Sequence, residues 1–137
     1  MEKHNELSDL DFKKQFQQLS LAPALFTHEA HLRLAWIHIQ HTGPKKAATT
    51  ICDQILRFAT KHGDPGKFNK TVTIAAVQMV YHFMQKSTSK SFTDFIKEFP
   101  RLKNNFKELI ASHYSWNIFT ADRAKKEYVA PDLLPFT

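Results

Sequence analysis

The chain has 137 residues, a length that suits one domain with one hydrophobic core. Hydrophobic residues make up 42% of the chain, which excludes a disordered protein, and the single cysteine excludes an intrachain disulfide and the cysteine-rich zinc folds. The net charge of +6 would suit nucleic acid, but the lysines are scattered and no arginine cluster is present. We therefore expect no nucleic-acid partner. Because neither a signal peptide nor a long apolar span is evident, we also expect a cytoplasmic protein without a membrane partner.

Apolar residues recur at helical spacing along the chain and predict seven helical pieces and no strand. Their limits follow from capping residues, prolines and glycines, and they cover about residues 8–19, 27–41, 45–62, 69–85, 92–99, 101–113 and 121–128. The apolar end, about residues 129–137, is predicted to be an extended tail laid over the helices. We expect an all-α fold: one compact bundle of about six or seven helices over residues 1–137, with the second and fourth helices central.

Histidines are concentrated in the second predicted helix, which contains His28, His31, His38 and His41. The first three fall within about 80° of one another on a helical wheel. A metal site, a proton-transfer site, a ligand pocket or only the polar edge of a packed helix would each account for this stripe. Glu29 and Arg33 are predicted to face solvent on the other side of the helix.

The fourth predicted helix is apolar around most of its circumference and has one narrow polar stripe, formed by Thr71, Gln78 and His82. If this stripe faces the second helix, the two stripes enclose a polar pocket, which would hold water or a ligand because buried polar groups need partners. A solvent-facing stripe with nothing opposite is the alternative. The candidate pocket consists of His28, His31, His38, Asn69, Thr71, Gln78 and His82.

His28 and His31 are also the candidate metal ligands, because two histidines three residues apart can bind one metal ion from a single helix. Ordinary hydrogen-bonded residues of the core or its edge would show the same spacing. A di-iron bundle needs Glu-x-x-His pairs, which this chain lacks. The sequence does not identify a cofactor.

Three segments, F-T-H-E-A-H-L-R-L-A-W, G-K-F-N-K-T-V-T and D-R-A-K-K-E-Y-V-A-P-D, resemble a family of small, uncharacterised bacterial helical proteins. Its members carry H-x-x-H-L-x-x-A-W, a Tyr-His-Glu-Thr-like segment and an ending of the form A-R/K-x-x-F/Y-x-x-P-D. The resemblance runs from about Phe26 to Asp132 and implies one helical domain without adding a reaction. It places the family's later histidine and glutamate at Asn69 and Lys70, so a metal or acid–base site of the relatives would be incomplete here.

Three functions follow as hypotheses. The leading one is a non-catalytic small-molecule-binding or accessory protein with a histidine-lined pocket. The second is a metal-assisted or acid–base enzyme that uses His28 and His31. The third is an interaction module or homodimer that uses exposed aromatic residues near Trp116 and Phe136.

Overall fold

The structure of the protein is a computed structural model that describes residues 1–136. These residues form eight α-helices and no β-strand, which confirms the predicted all-α fold. The helices are α1 (Asp9–Gln17), α2 (His28–Thr42), α3 (Pro44–Lys61), α4 (Lys70–Met84), α5 (Phe92–Glu98), α6 (Arg101–Asn104), α7 (Phe106–Ala111) and α8 (Asp122–Lys126). Three 3₁₀ turns accompany them, at Lys3–Glu6, Pro23–Leu25 and Pro65–Lys67.

The starts of the longer helices are set by local capping chemistry. A side-chain oxygen of the residue before the helix accepts a hydrogen bond from a backbone N–H of the first turn at Ser8, Thr27, Asn69 and Ser91. Gly43 separates α2 from α3 with a φ of 81°, and Pro44 is the first residue of α3. These local signals explain why the predicted helix limits agree with the observed ones within a few residues.

One predicted helix, residues 101–113, is instead two short helices that meet at Asn105. The φ of −133° and ψ of 33° at Asn105 lie outside the helical region. Asparagine side chains compete with the helix for backbone hydrogen bonds, which makes this residue a natural break. On either side of it Leu102 and Phe106 are both buried, so the change of direction lets both enter the core.

The centre of the bundle consists of α2, α3 and α4, which pack against one another in pairs, while α1 and α6 pack on α2 and α8 packs on α4. Almost the whole circumference of α2 is buried between Glu29 and Ile39. The prediction that Glu29 and Arg33 face solvent is therefore wrong: they are 8% and 5% exposed. No helix within residues 1–136 combines the length and apolar character needed to cross a bilayer.

Residues 127–136, the described C-terminal residues after α8, lie without helix against α4 and α7, and Thr137 of the predicted tail lies outside the described residues. The hydroxyl of Thr71 donates to the carbonyl of Glu127 at 2.8 Å and accepts from the N–H of Val129 at 3.0 Å. The hydroxyl of Tyr114 donates to the carbonyl of Val129 at 2.6 Å. Phe136 is 7% exposed, so the prediction that it is an exposed aromatic residue is wrong, because packing over the bundle buries it.

Candidate functional site

Two cavities meet at His31. The first, which we call the aromatic cavity, lies between α2, α3, α4 and the turn after α3, and has a volume of about 430 Å³. The second, the basic cavity, lies between α2, α4 and the α6–α7 segment, and has a volume of about 440 Å³. His31 and Val72 line both cavities, so one imidazole contributes to both of them.

Aromatic rings form one continuous wall of the aromatic cavity. The ring centroids of Phe26 and Phe58 lie 5.4 Å apart, and the ring of His62 lies 4.5 Å from that of Phe58. Phe26 also contacts the imidazole of His31, with centroids 5.8 Å apart. Phe16 closes the cluster from the core side, 4.5 Å from Phe26. These separations are those of favourable aromatic pairs, so the wall is preformed.

His31 is the polar group of this wall without a partner. The residue is partly exposed as a whole, yet its Nε2 atom is shielded from solvent and has no hydrogen-bond partner. Burial lowers the pKa of His31 to about 4, and the charge of His28 adds to the effect. The imidazole is therefore neutral at ordinary pH and offers one donor and one acceptor. A buried polar atom without a partner costs about 1–3 kcal/mol, which a ligand atom at hydrogen-bond distance would offset.

Apart from the exposed His62, the other polar residues lining the aromatic cavity are already engaged. Asn69 caps α4 by accepting from the N–H of Val72, and its amide donates to the carbonyl of Ile118 at 2.7 Å. Asp64 and Lys67 pair with each other at 3.6 Å on the exposed rim. Asn69 thus has a structural role, and His31 is the shielded polar group left to bind a ligand.

The seven predicted pocket residues are not brought together. His31 shares the aromatic cavity with Asn69 and the basic cavity with His28, whereas Gln78 and His82 line a third cavity beneath the C-terminal residues. His38 is 4% exposed within the core, where burial, followed by the charges of Lys13 and His41, lowers its pKa to about 4.

The two polar stripes do not face each other, because the C-terminal residues cover the stripe of α4. The hydroxyl of Thr71 is used by Glu127 and Val129. Tyr128 and Phe136 lie beside Gln78 and His82 in the third cavity. The predicted polar pocket between α2 and α4 is therefore divided, and only its His31 end adjoins both cavities.

The candidate metal pair of His28 and His31 is poorly arranged for a metal. The Nε2 of His28 donates to the carbonyl of Leu102 at 3.0 Å, which leaves Nδ1 as its one nitrogen free to bind an ion, and no third ligand residue among residues 1–136 joins the pair. The ring of His28 also packs on Phe106, with centroids 4.9 Å apart. This geometry fits a hydrogen-bonded edge residue.

Sequence reasoning missed a buried polar cluster around Glu29. His4 is 1% exposed, and its Nε2 donates to the Glu29 carboxylate at 2.6 Å. Lys103 donates to the other carboxylate oxygen at 3.0 Å. Burial opposes the ionisation of Glu29, yet hydrogen bonds from Lys103 and His4 outweigh it and hold the pKa of the carboxyl below its ordinary value.

Arg33 ties the same cluster to the N-terminal turn. Its guanidinium donates to the carbonyls of His4 and Leu7, both at 2.7 Å, and to the carboxylate of Asp9 at 2.8 Å. The signal that points to this cluster is the apolar pattern of α2. Leu34 and Ile37 lie on the side of the helix opposite to Leu32, Ala35, Trp36 and Ile39, which indicates a helix buried all round.

Comparisons of this chain with protein-family models, with curated proteins and with solved structures found no match. The resemblance to a bacterial family from Phe26 to Asp132 thus stays a prediction. The candidate site rests on its own geometry: a neutral imidazole with an unsatisfied nitrogen, set into an aromatic wall beside a cavity.

Proposed function

We propose that this protein is a non-catalytic binding protein for a small planar aromatic or heteroaromatic molecule, held in the aromatic cavity. The single observation that carries the proposal is the unsatisfied Nε2 of His31 beside an aromatic wall. The bound molecule stacks against Phe26, Phe58 and His62 and exchanges a hydrogen bond with His31. A bacterial, cytoplasmic setting belongs to the same proposal, since the unpaired Cys52 suits a reducing compartment.

The size and lining of the cavity support this class of ligand. A volume of about 430 Å³ lies within the range of small-molecule sites, about 300–1,000 Å³. Such sites are mostly apolar with a few polar groups that fix orientation. Stacking on preformed rings favours a flat ligand, and a neutral imidazole favours an uncharged polar atom over an ionic one.

The lining gives less support to catalysis. An acid–base histidine is usually oriented by a carboxylate that accepts its ring N–H, and His31 donates no hydrogen bond to a carboxylate within residues 1–136. The thiol of Cys52 is a poor nucleophile, because burial raises its pKa to about 11. Binding without reaction is the function that these groups favour.

A ligand-observed NMR screen tests the proposal. Untagged protein is mixed with indole, adenine and quinoline, and with cyclohexanol as a non-aromatic control of similar size. We expect saturation transfer to at least one of the aromatic compounds and none to the control. Ala59, which lines the cavity, provides a blocking variant: Ala59→Trp should abolish the signal by filling the space. Equal transfer to cyclohexanol, or binding unchanged in Ala59→Trp, would contradict the proposal.

A further inference from the structure

We propose that Glu2, His4 and Glu29 form a binding site for one divalent transition-metal ion such as Zn²⁺. Each residue offers one ligand atom, and the three atoms lie within 4.8 Å of one another. Imidazole nitrogen and carboxylate oxygen are the ligands used by three-residue zinc sites that keep a fourth position for water. The site lies apart from the aromatic cavity and does not depend on the function proposed for it.

The separations of the ligand atoms lie on either side of the spacing in a zinc site. The Nε2 of His4 lies 2.6 Å from Glu29 Oε2 and 3.7 Å from Glu2 Oε1. With metal–ligand distances of about 2.0–2.2 Å, tetrahedral ligand atoms are about 3.4 Å apart. Binding of zinc would require Nε2 of His4 and Oε2 of Glu29 to move apart by about 0.8 Å, from 2.6 Å to about 3.4 Å.

The three residues are held in place by other contacts. Glu29 stands on α2 at the centre of the bundle, while Glu2 and His4 belong to the N-terminal turn. Arg33 fixes that turn through the carbonyl of His4, and the Thr27 hydroxyl donates to the Glu2 carboxylate. Such outer hydrogen bonds orient metal ligands in proteins, so the arrangement is preorganised.

Charge balance also suits a dication. The ammonium of Lys103 bridges both carboxylates, 3.0 Å from Glu29 Oε1 and 3.3 Å from Glu2 Oε2. The ammonium of Lys103 stands where a divalent ion would supply its charge. The Lys103 side chain is 37% exposed and can turn into water when a metal binds. The charge of Arg33 is paired separately, with Asp9.

The ring of His4 can accept this role. Coordination through Nε2 would place the ring proton on Nδ1, which now accepts a long hydrogen bond of 3.4 Å from Nη1 of Arg33, so zinc binding would break that bond. The shorter bond of that Nη1 is to the His4 carbonyl, at 2.7 Å, and it persists when Nδ1 carries the proton. Glu2 is 29% exposed on the outer side, which gives an ion a route of entry.

Calorimetric titration of the untagged full chain with ZnCl₂, together with thermal melts, tests the site. We expect one zinc ion per chain, with affinity lowered about tenfold or more in Glu2→Gln. We expect tighter binding in Lys103→Ala, because the competing ammonium is gone, and a larger zinc-induced rise of Tm than in the wild type. His28→Gln is the matched control and should bind zinc as the wild type does.

Three outcomes would overturn the proposal. Absence of zinc binding by both the wild type and Lys103→Ala would mean that the cluster is only an ion-pair network. Equal affinity in Glu2→Gln and wild type would place any bound zinc elsewhere. Loss of zinc binding in His28→Gln would assign it to the His28 and His31 pair of α2.

Discussion

Two histidines of α2 are neutral inside the protein, and each has a shielded Nε2 atom without a hydrogen-bond partner. His31 lines two cavities, whereas His38 is buried in the core and lines neither of them. The difference lies in the surroundings of the two rings: a molecule bound in a cavity beside His31 can reach Nε2 once the ring turns, whereas an unsatisfied atom inside the packing only costs stability.

The first prediction concerns His38 and pH. Its pKa is about 4 in the folded chain against an ordinary value of 6.5, so the unfolded state takes up a proton first. Its contribution to stability is complete above pH 6.5 and is lost as the pH falls towards 4. In His38→Leu we expect a weaker dependence of the unfolding free energy on pH across this window, and equal or greater stability at pH 7, because the unsatisfied nitrogen is removed.

Urea unfolding at several pH values between 4 and 7 measures the effect. His41→Leu is the matched control, since His41 is exposed on the same helix, and it tests whether loss of any imidazole from α2 has the same result. A loss of stability in His38→Leu at pH 7, or a pH dependence identical to that of the wild type, would show that His38 is not held neutral by burial.

At the scale of elements, the N-terminal turn is attached to α2 by buried polar contacts. Arg33 contributes most of them, with bonds to two backbone carbonyls and to Asp9. Removing a buried arginine leaves its partners unsatisfied, so we expect Arg33→Ala to lower the unfolding free energy by about 3 kcal/mol. Chemical denaturation measures this loss.

Arg57→Ala is the control for Arg33→Ala. Arg57 pairs with Asp53 at 4.0 Å on the exposed face of α3, and exposed pairs contribute about 0–1 kcal/mol. If Arg33→Ala and Arg57→Ala lower the unfolding free energy by the same small amount, the buried cluster does not attach the N-terminal turn to α2.

The C-terminal residues are attached to α4 in a similar way, and Thr71 is the test. Its hydroxyl makes two hydrogen bonds to their backbone, so Thr71→Val should cost about 1–2 kcal/mol and speed amide exchange at Val129. Thr49→Val is the control, since the Thr49 hydroxyl bonds only within α3. Unchanged exchange at Val129 in Thr71→Val would mean that other contacts hold this segment.

At the scale of the whole molecule, the fold can be predicted from the sequence, whereas the candidate site can be predicted only in part. The helices follow from local signals, such as the Thr27 cap and the Gly43–Pro44 junction, which act within a few residues. The site depends on what covers each helix face. Glu29 is buried because α2 is covered on all sides, and the hydroxyl of Thr71 is hydrogen-bonded to the C-terminal residues. Neither effect is visible in the periodicity of a single helix. His31, which we propose as the recognition group, is a candidate already in the sequence because a polar residue at the edge of an apolar face stands out locally.

The role of His31 as the recognition group is tested most directly by the dissociation constant of the strongest-binding aromatic compound, measured for wild type, His31→Leu and His41→Leu. We expect His31→Leu to bind the compound about tenfold more weakly or worse, because the hydrogen bond is lost while the cavity stays apolar. We expect His41→Leu to bind as the wild type does. Equal affinity in all three proteins would contradict the assignment of His31 as the recognition group.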